Sequence, residues 1–185
     1  MLGQERNRLE AGRLTDWSRA QIEAHCAQLH QSLLAIQRQL KAQLRASQQL
    51  APLWQRLQTI PGIGWLTAAF LIALLGDIAR FRRVGALVSL AGLAMKEHES
   101  GSSVHKRPCI DRQGHRQLRQ LLCWCAITAM RTDAQFQAFA QRLAARSKPH
   151  KVIIVAVMRK LRHIVYGVWK NQTDYDPAKV LGSLA

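Results

Sequence analysis

Ile60-Pro61-Gly62-Ile63-Gly64 runs directly into Trp65-Leu66-Thr67-Ala68-Ala69-Phe70-Leu71-Ile72-Ala73-Leu74-Leu75. No other junction constrains the fold as much. Proline fixes φ and has no N–H, so a helix arriving from the N-terminal side must stop there; glycine admits positive φ and leaves no Cβ in the way of a close neighbour. The apolar run that follows is too short to cross a bilayer and predicts a buried helix. Helix, tight glycine turn and buried helix together read as a helix-hairpin-helix. The second helix would open with backbone N–H groups and the positive end of its dipole, which attract anions. A turn that serves only to pack two helices has the same local signature.

Charge separates the two readings. The 185 residues hold 27 Lys and Arg against 11 Asp and Glu, a net charge of +16. A balance so basic points to a polyanion, and no helix combines a bulky apolar face with a Lys-rich one in the manner of membrane-surface helices, so nucleic acid is the expected partner and a membrane is not. Most of the excess lies between Ser100 and Lys170, where only Asp111 and Asp133 oppose the cations. A charge run is ordinarily a solvated face. Here it also fills a long loop and stripes two helices, as a phosphate-tracking surface does. Gly62, Gly64, Lys106, Arg107, Arg112, Arg116, Arg119, Arg159 and Arg162 are the candidate nucleic-acid contacts.

Cys26, Cys109, Cys123 and Cys125 form no Cys-x-x-Cys pair, and the spacing of His98, His105, Cys109 and His115 fits no zinc pattern. Reduced thiols, no metal site and a cytoplasmic protein are the expectation. The opening Met1-Leu2-Gly3-Gln4-Glu5-Arg6 has no apolar core and does not read as a signal peptide.

The fold class expected is all-α. Ile22, Cys26, Leu29, Leu33, Ile36 and Leu40 recur at steps of four and three, a coiled-coil-like seam on one long helix over about 16–50. Pro52 reads as a break, with a short helix over about 53–58 before the glycine turn. Further helices are expected over about 65–75, 84–90, 115–131, 134–145 and 152–170. On the last, Ile153, Val157, Leu161, Ile164, Val165 and Val168 form the expected buried stripe. Arg159, Arg162, His163, Tyr166 and Lys170 lie on the other face. Residues 96–114 form a long polar loop. The division expected is 1–51 as a helical segment, 52–172 as the main helical domain and 173–185 as a flexible tail.

Within that loop, Glu99-Ser100-Gly101-Ser102-Ser103-Val104-His105-Lys106-Arg107 sets hydroxyls beside glycine, histidine and two cations. A serine that attacks a phosphodiester needs a base to take its proton and positive charge to stabilise the phosphorane. His98 or His105 could be the base, and Lys106, Arg107 and Arg112 the clamp. A flexible connection or a simple phosphate contact fits the same residues. The few acids, Asp77, Glu97, Glu99, Asp111 and Asp133, are too dispersed for a complete two-metal nuclease.

The ordered series Gln4-Glu5-Arg6-Asn7-Arg8-Leu9, a long helix, Ile60-Pro61-Gly62-Ile63-Gly64, Gly76-Asp77 with Phe81, Ala91-Gly92-Leu93, Ser100-Gly101-Ser102-Ser103, Gly114 with Leu118-Arg119, and Met158-Arg159-Lys160-Leu161 resembles the C-terminal half of one transposase family. These are the insertion-sequence one-hundred-ten type transposases, in the eleven-eleven subgroup. The resemblance implies a helical transposase domain acting on DNA ends, guided in relatives by an element-encoded RNA. It implies a serine that becomes covalently joined to DNA, matched here by Ser100, with Ser102 and Ser103 as alternatives. It also implies a preceding resolvase-like nuclease domain whose carboxylates bind Mg²⁺. That acidic domain is not in this sequence, so no cofactor is expected in the chain itself. The expected function is therefore a transposase or recombinase fragment that performs serine-linked strand transfer when an acidic domain completes it. The alternative is a non-catalytic nucleic-acid-binding module, or a truncated regulator that pairs with full-length transposase through the N-terminal helix. Such pairing, or pairing with its own copy, is the expected protein partnership.

Overall fold

The computed structural model describes residues 3, 4, 7, 9, 15–81, 85, 90, 92, 95, 96, 109, 110 and 114–178. The chain divides into two compact units, Met1–Ala51 and Pro52–Ala185. The architecture is all-α, as the periodicity predicts.

Helix α1 (Asp16–Ala46) fills most of the first unit. Thr15 caps it by accepting the Ser18 N–H on Oγ1 at 3.2 Å, and Asp16 and Arg45 place charges of the favourable sign at its two ends. The expected seam is only partly shielded. Ile22, Cys26, Leu29 and Leu40 are half-buried, whereas Leu33 and Ile36 are exposed.

The helix break falls at Ser47–Gln49, earlier than Pro52. Ser47 closes α1 through its N–H to the Gln43 carbonyl, and its Oγ accepts the Leu50 N–H to start the next helix. Helix α2 (Leu50–Gln58) therefore carries Pro52 in its first turn, where the missing N–H would have had no intrahelical partner.

Leu53, Trp54 and Leu57 of α2 are buried, and the Trp54 indole donates to the Trp65 carbonyl at 2.9 Å. That bond ties α2 to the start of α3 (Trp65–Leu75) across the glycine turn. Helix α3 buries Ala68, Ala69, Leu71, Ile72 and Leu75 but leaves Leu66 and Phe70 exposed, so the apolar run is not covered all round. Gly76, at φ +60°, ends it, and Asp77 caps the single 3-10 turn Ile78–Arg80 by accepting the Ala79 N–H.

A short antiparallel ladder pairs β1 (Met95–Lys96) with β2 (Cys109–Ile110). The sequence offers no alternation to announce strands so short. Helix 84–90 of the sequence reading falls largely outside the described residues, with Gly85 and Leu90 helical.

Helices α4 (Arg116–Thr132), α5 (Ala134–Ala145) and α6 (His150–Asn171) form the packed centre of the second unit. Of the α4 stripe that helical spacing predicts, Leu118, Leu122, Cys125, Ala126 and Ala129 are buried and Leu121 is half-buried. Asp133 ends α4 and starts α5, its Oδ1 accepting the N–H groups of both Gln135 and Phe136 at 3.0 Å. Helix α6 departs from expectation. Of the predicted stripe Ile164 is only half-buried, whereas Met158, Arg162, Tyr166 and Trp169 are buried as well, because α4, α5 and the 3-10 turn all pack against α6. Burial on several sides replaces the one-faced amphipathic helix that the pattern suggested.

Of the segment after Asn171, residues 172–178 are described. Gln172 turns left-handed, and the Tyr175 N–H donates to Thr59 Oγ1 at 2.9 Å.

Candidate nucleic-acid interface

From Arg116 to Asn171 the second unit carries Arg116, Arg119, Arg131, Arg142, Arg146, Lys148, Lys151, Arg159, Lys160, Arg162 and Lys170 against the single carboxylate of Asp133. That carboxylate is occupied in capping α5. Arg116, Arg131, Arg142, Arg146, Lys148, Lys151 and Lys170 are exposed, and Arg119 and Arg159 are half-buried. The helices themselves set this display: their apolar stripes face one another and leave most of the cations outward, Arg162 excepted.

On α4, Arg116, Gln120, Trp124 and Arg131 fall within one stripe at 100° per residue. Trp124 stands 63% exposed in the middle of that stripe. A large ring held in solvent between cations can stack on a base while its neighbours meet the backbone. The sequence reading passed over Trp124; its place outside the stripe Leu118-Leu122-Cys125-Ala129 was the available signal.

Where α5 packs on α6, Arg142 and Lys160 both lie 5.9 Å from the centre of the Phe139 ring. Burial, and then the charge of Arg142, lowers the pKa of the Lys160 ammonium. The turn into α6 adds exposed Arg146, Lys148 and Lys151, and no acidic residue occupies the first turn of that helix.

The predicted contacts are placed very differently. Gly62 adopts φ +82° and is turned toward α4: a Cβ there would overlap the Cys125 carbonyl oxygen and lie 3.0 Å from the Ala129 nitrogen. Close packing is thus one requirement that this glycine meets. Gly64 is exposed at the start of α3, with open space where a side chain would be. Arg116 is on the outer stripe of α4. Arg159 and Arg162 are neighbours on α6, but Arg162 is only 3% exposed.

Burial, and secondarily the charge of Arg159, brings the Arg162 pKa down to about 10. Its Nη2 lies 3.1 Å from His163 Nε2, while Nε and Nη1 are buried without a hydrogen-bond partner among the described residues. Ser100, Ser102, Ser103, Lys106, Arg107 and Arg112 lie outside the described residues. In sequence, Ser100 to Arg107 fall between Lys96 and Cys109, which pair across the ladder, and Arg112 follows Ile110.

No three His, Cys, Asp or Glu side chains come together among the described residues in a group that could hold a metal ion. Cys26, Cys123 and Cys125 form no disulfide. No helix among the described residues is long and apolar enough to cross a membrane.

Residues 54–141 match the model of the transposase family IS116/IS110/IS902. The chain carries a transposase domain of this family. The match takes in the glycine turn, α3, α4 and most of α5, so the family's sequence pattern coincides with the core that displays the basic stripe. The transposase domain is 40% identical over 121 residues to the pilin gene-inverting protein of Moraxella lacunata, covering 65% of this chain and 38% of that relative. It is 36% identical over 142 residues to the transposase for insertion sequence element IS1111A of Coxiella burnetii, covering 74% of this chain and 37% of the relative. An insertion element IS110 protein of Streptomyces coelicolor is 32% identical over 151 residues, covering 80% and 37% respectively. The chain thus spans less than half the length of these relatives.

Proposed function

We propose that this chain is the DNA-handling part of a transposase or recombinase. The observation that carries the reading is the cationic surface of α4, α5 and α6, with its one carboxylate taken up in a helix cap, on a domain of transposase sequence. Phosphates are met by Arg116 and the cations of the α5–α6 turn, and an unpaired base by Trp124. The glycine turn before α3 supplies a helix-hairpin-helix contact through Gly64.

Strand transfer in this reading uses Ser100, with Ser102 and Ser103 as alternatives. The serine Oγ gives up its proton to a base and attacks phosphorus; the Oγ–P bond forms as the bond to a deoxyribose oxygen breaks. That departing oxygen takes a proton. A second deoxyribose hydroxyl then attacks the same phosphorus, forms the new strand and returns the serine, so no phosphodiester energy is lost. An acidic nuclease domain, in the same polypeptide or from another chain, completes the site. Mg²⁺ belongs to that domain, and an element-encoded RNA is the guide.

A second reading rests on α1. Its exposed Leu33, Leu34 and Ile36 suit pairing with a copy of this chain or with full-length transposase, which would make the protein a regulator of assembly.

The test mixes the protein with end-labelled junction DNA, the matching RNA and a separately made acidic domain. A label that survives a denaturing gel on wild type but not on Ser100→Ala supports strand transfer. Salt-dependent DNA binding with no covalent band would remove the catalytic reading and leave a nucleic-acid-binding module.

A further inference from the structure

A guanidinium is rarely buried without a carboxylate, a phosphate or several carbonyls around it. Arg162 is 3% exposed in the middle of α6, and its hydrogen-bond partner among the described residues is the imidazole of His163. Nε and Nη1 are both out of contact with solvent and without an acceptor among the described residues. The other charge that acts on it is Arg159, which is of like sign. Lys160 and Arg162 in turn both act on His163. One helical turn along, the Tyr166 hydroxyl donates to the Phe81 carbonyl. The packing has therefore enclosed a cation with two unused donors, and Arg159 adds positive charge that acts on it.

We propose that Arg162 is the centre of a desolvated socket for one phosphate group, held by the Nε and Nη1 donors. The inference rests on the nucleic-acid reading above and deepens it, since it separates one buried phosphate contact from the solvated contacts on α4 and the α5–α6 turn. A phosphate suits the site better than a carboxylate because Arg159 adds a second positive charge that acts on Arg162 and because phosphate oxygens can accept from more than one direction. Neither nitrogen is open to solvent, so entry requires neighbouring side chains to shift. An occupant then relieves the cost of a buried, under-bonded charge.

Thermal unfolding of the 185-residue chain tests the proposal, with inorganic phosphate, acetate and chloride compared at matched ionic strength. At phosphate concentrations about ten times Kd, wild type should gain about 3–6 °C over chloride. Arg162→Met should show no phosphate-specific gain, and in chloride it should melt at or above wild type, because an under-bonded buried cation has gone. Arg162→Lys keeps the charge without the planar fork and should retain only a fraction of the gain. A phosphate shift that persists in Arg162→Met overturns the socket. So does a fall in Tm of Arg162→Met in chloride, which would mark a paired structural arginine. An acetate gain equal to that of phosphate and equally dependent on Arg162 overturns the phosphate assignment.

Random-sequence duplex binding separates the two sources of the group. Duplex affinity weakened by Arg162→Met identifies a phosphodiester; unaltered duplex affinity with an Arg162-dependent phosphate gain identifies free phosphate. If phosphate stabilises through Arg162 but no duplex binds, the socket stands and the nucleic-acid reading fails. If duplex binds with a steep salt dependence and phosphate gives no shift, the socket fails and the nucleic-acid reading stands.

Discussion

The α-carbon of Gly62 faces the backbone carbonyl of Cys125 so closely that a Cβ would overlap its oxygen, with the Ala129 nitrogen 3.0 Å away. The turn before α3 is thus seated on α4 backbone, which cannot yield as a flexible side chain can. Gly62→Ala adds that overlap to the strain of φ +82° on a residue with a Cβ. The left-handed conformation costs about 1–2 kcal/mol and forced overpacking about 1–3 kcal/mol. Urea denaturation should show a loss of about 3 kcal/mol.

Gly64→Ala is the contrasting case. φ is −84° and the position of the added methyl is open. The loss should stay within about 1 kcal/mol, the difference between glycine and alanine at a helix N-cap. If both variants were equally damaging, the packing role assigned to Gly62 would be wrong.

Helices α3 and α5 were legible in the sequence because strong punctuation bounds each of them: glycine on both sides of Trp65–Leu75, and Asp133 before Ala134–Ala145. The buried stripe of α4 was legible for a different reason, since Leu118, Leu122, Cys125 and Ala129 keep helical spacing. Arg162 and Tyr166 were misplaced by the same rule. Periodicity sends a charged or polar residue outward when one face of a helix is covered, and α6 is covered on several sides. Pro52 misled because proline is a breaker only beyond the first turn. Of the candidate site, the cationic helices were visible in composition. The exposure of Trp124 and the missing partners of Arg162 depend on packing that no local pattern specifies.

Asp133 gives a second measurable contact. One carboxylate oxygen accepts two N–H groups at the start of α5, and the Asp133 N–H closes α4 on the Ala129 carbonyl. Asp133→Ala removes both cap bonds and should cost about 1–2 kcal/mol in chemical denaturation. Asp133→Asn keeps an oxygen acceptor and should recover most of that. An alanine variant as stable as wild type would show that the cap is not used.

Cys125 is buried, and that burial pushes its thiol pKa up to about 11 despite the Thr67 hydrogen bond that acts to lower it. At pH 8 only about one molecule in a thousand would carry the reactive thiolate there. Iodoacetamide should label the half-buried Cys26 and Cys123 first. Cys125 should stay unmodified until denaturant is added, at a rate about 100-fold lower or less by peptide mass spectrometry. Equal labelling of Cys123 and Cys125 in the native protein would contradict this packing.

His163 makes the stability of α6 depend on pH. A guanidinium has no acceptor, so in the 3.1 Å contact Arg162 Nη2 donates and His163 Nε2 accepts, which places the imidazole proton on Nδ1. Partial burial, followed by the charges of Arg162 and Lys160, holds the His163 pKa below its ordinary value. Protonation would put a hydrogen on Nε2, break that bond and set two cations side by side. The unfolded chain titrates near the ordinary value of about 6.5 and so takes up protons before the folded one does. The stabilisation is therefore complete above that pH and is lost as pH falls through the lowered folded value. The His163 ring resonances should titrate below the ordinary value in the native protein. The urea midpoint of wild type should drop on acidification from pH 7.5 to pH 5, and His163→Gln, which keeps an acceptor but cannot titrate, should lose less over the same range. A native His163 that titrates at or above the ordinary value, or an equal loss in both proteins, would rule out this contact as a source of the acid sensitivity.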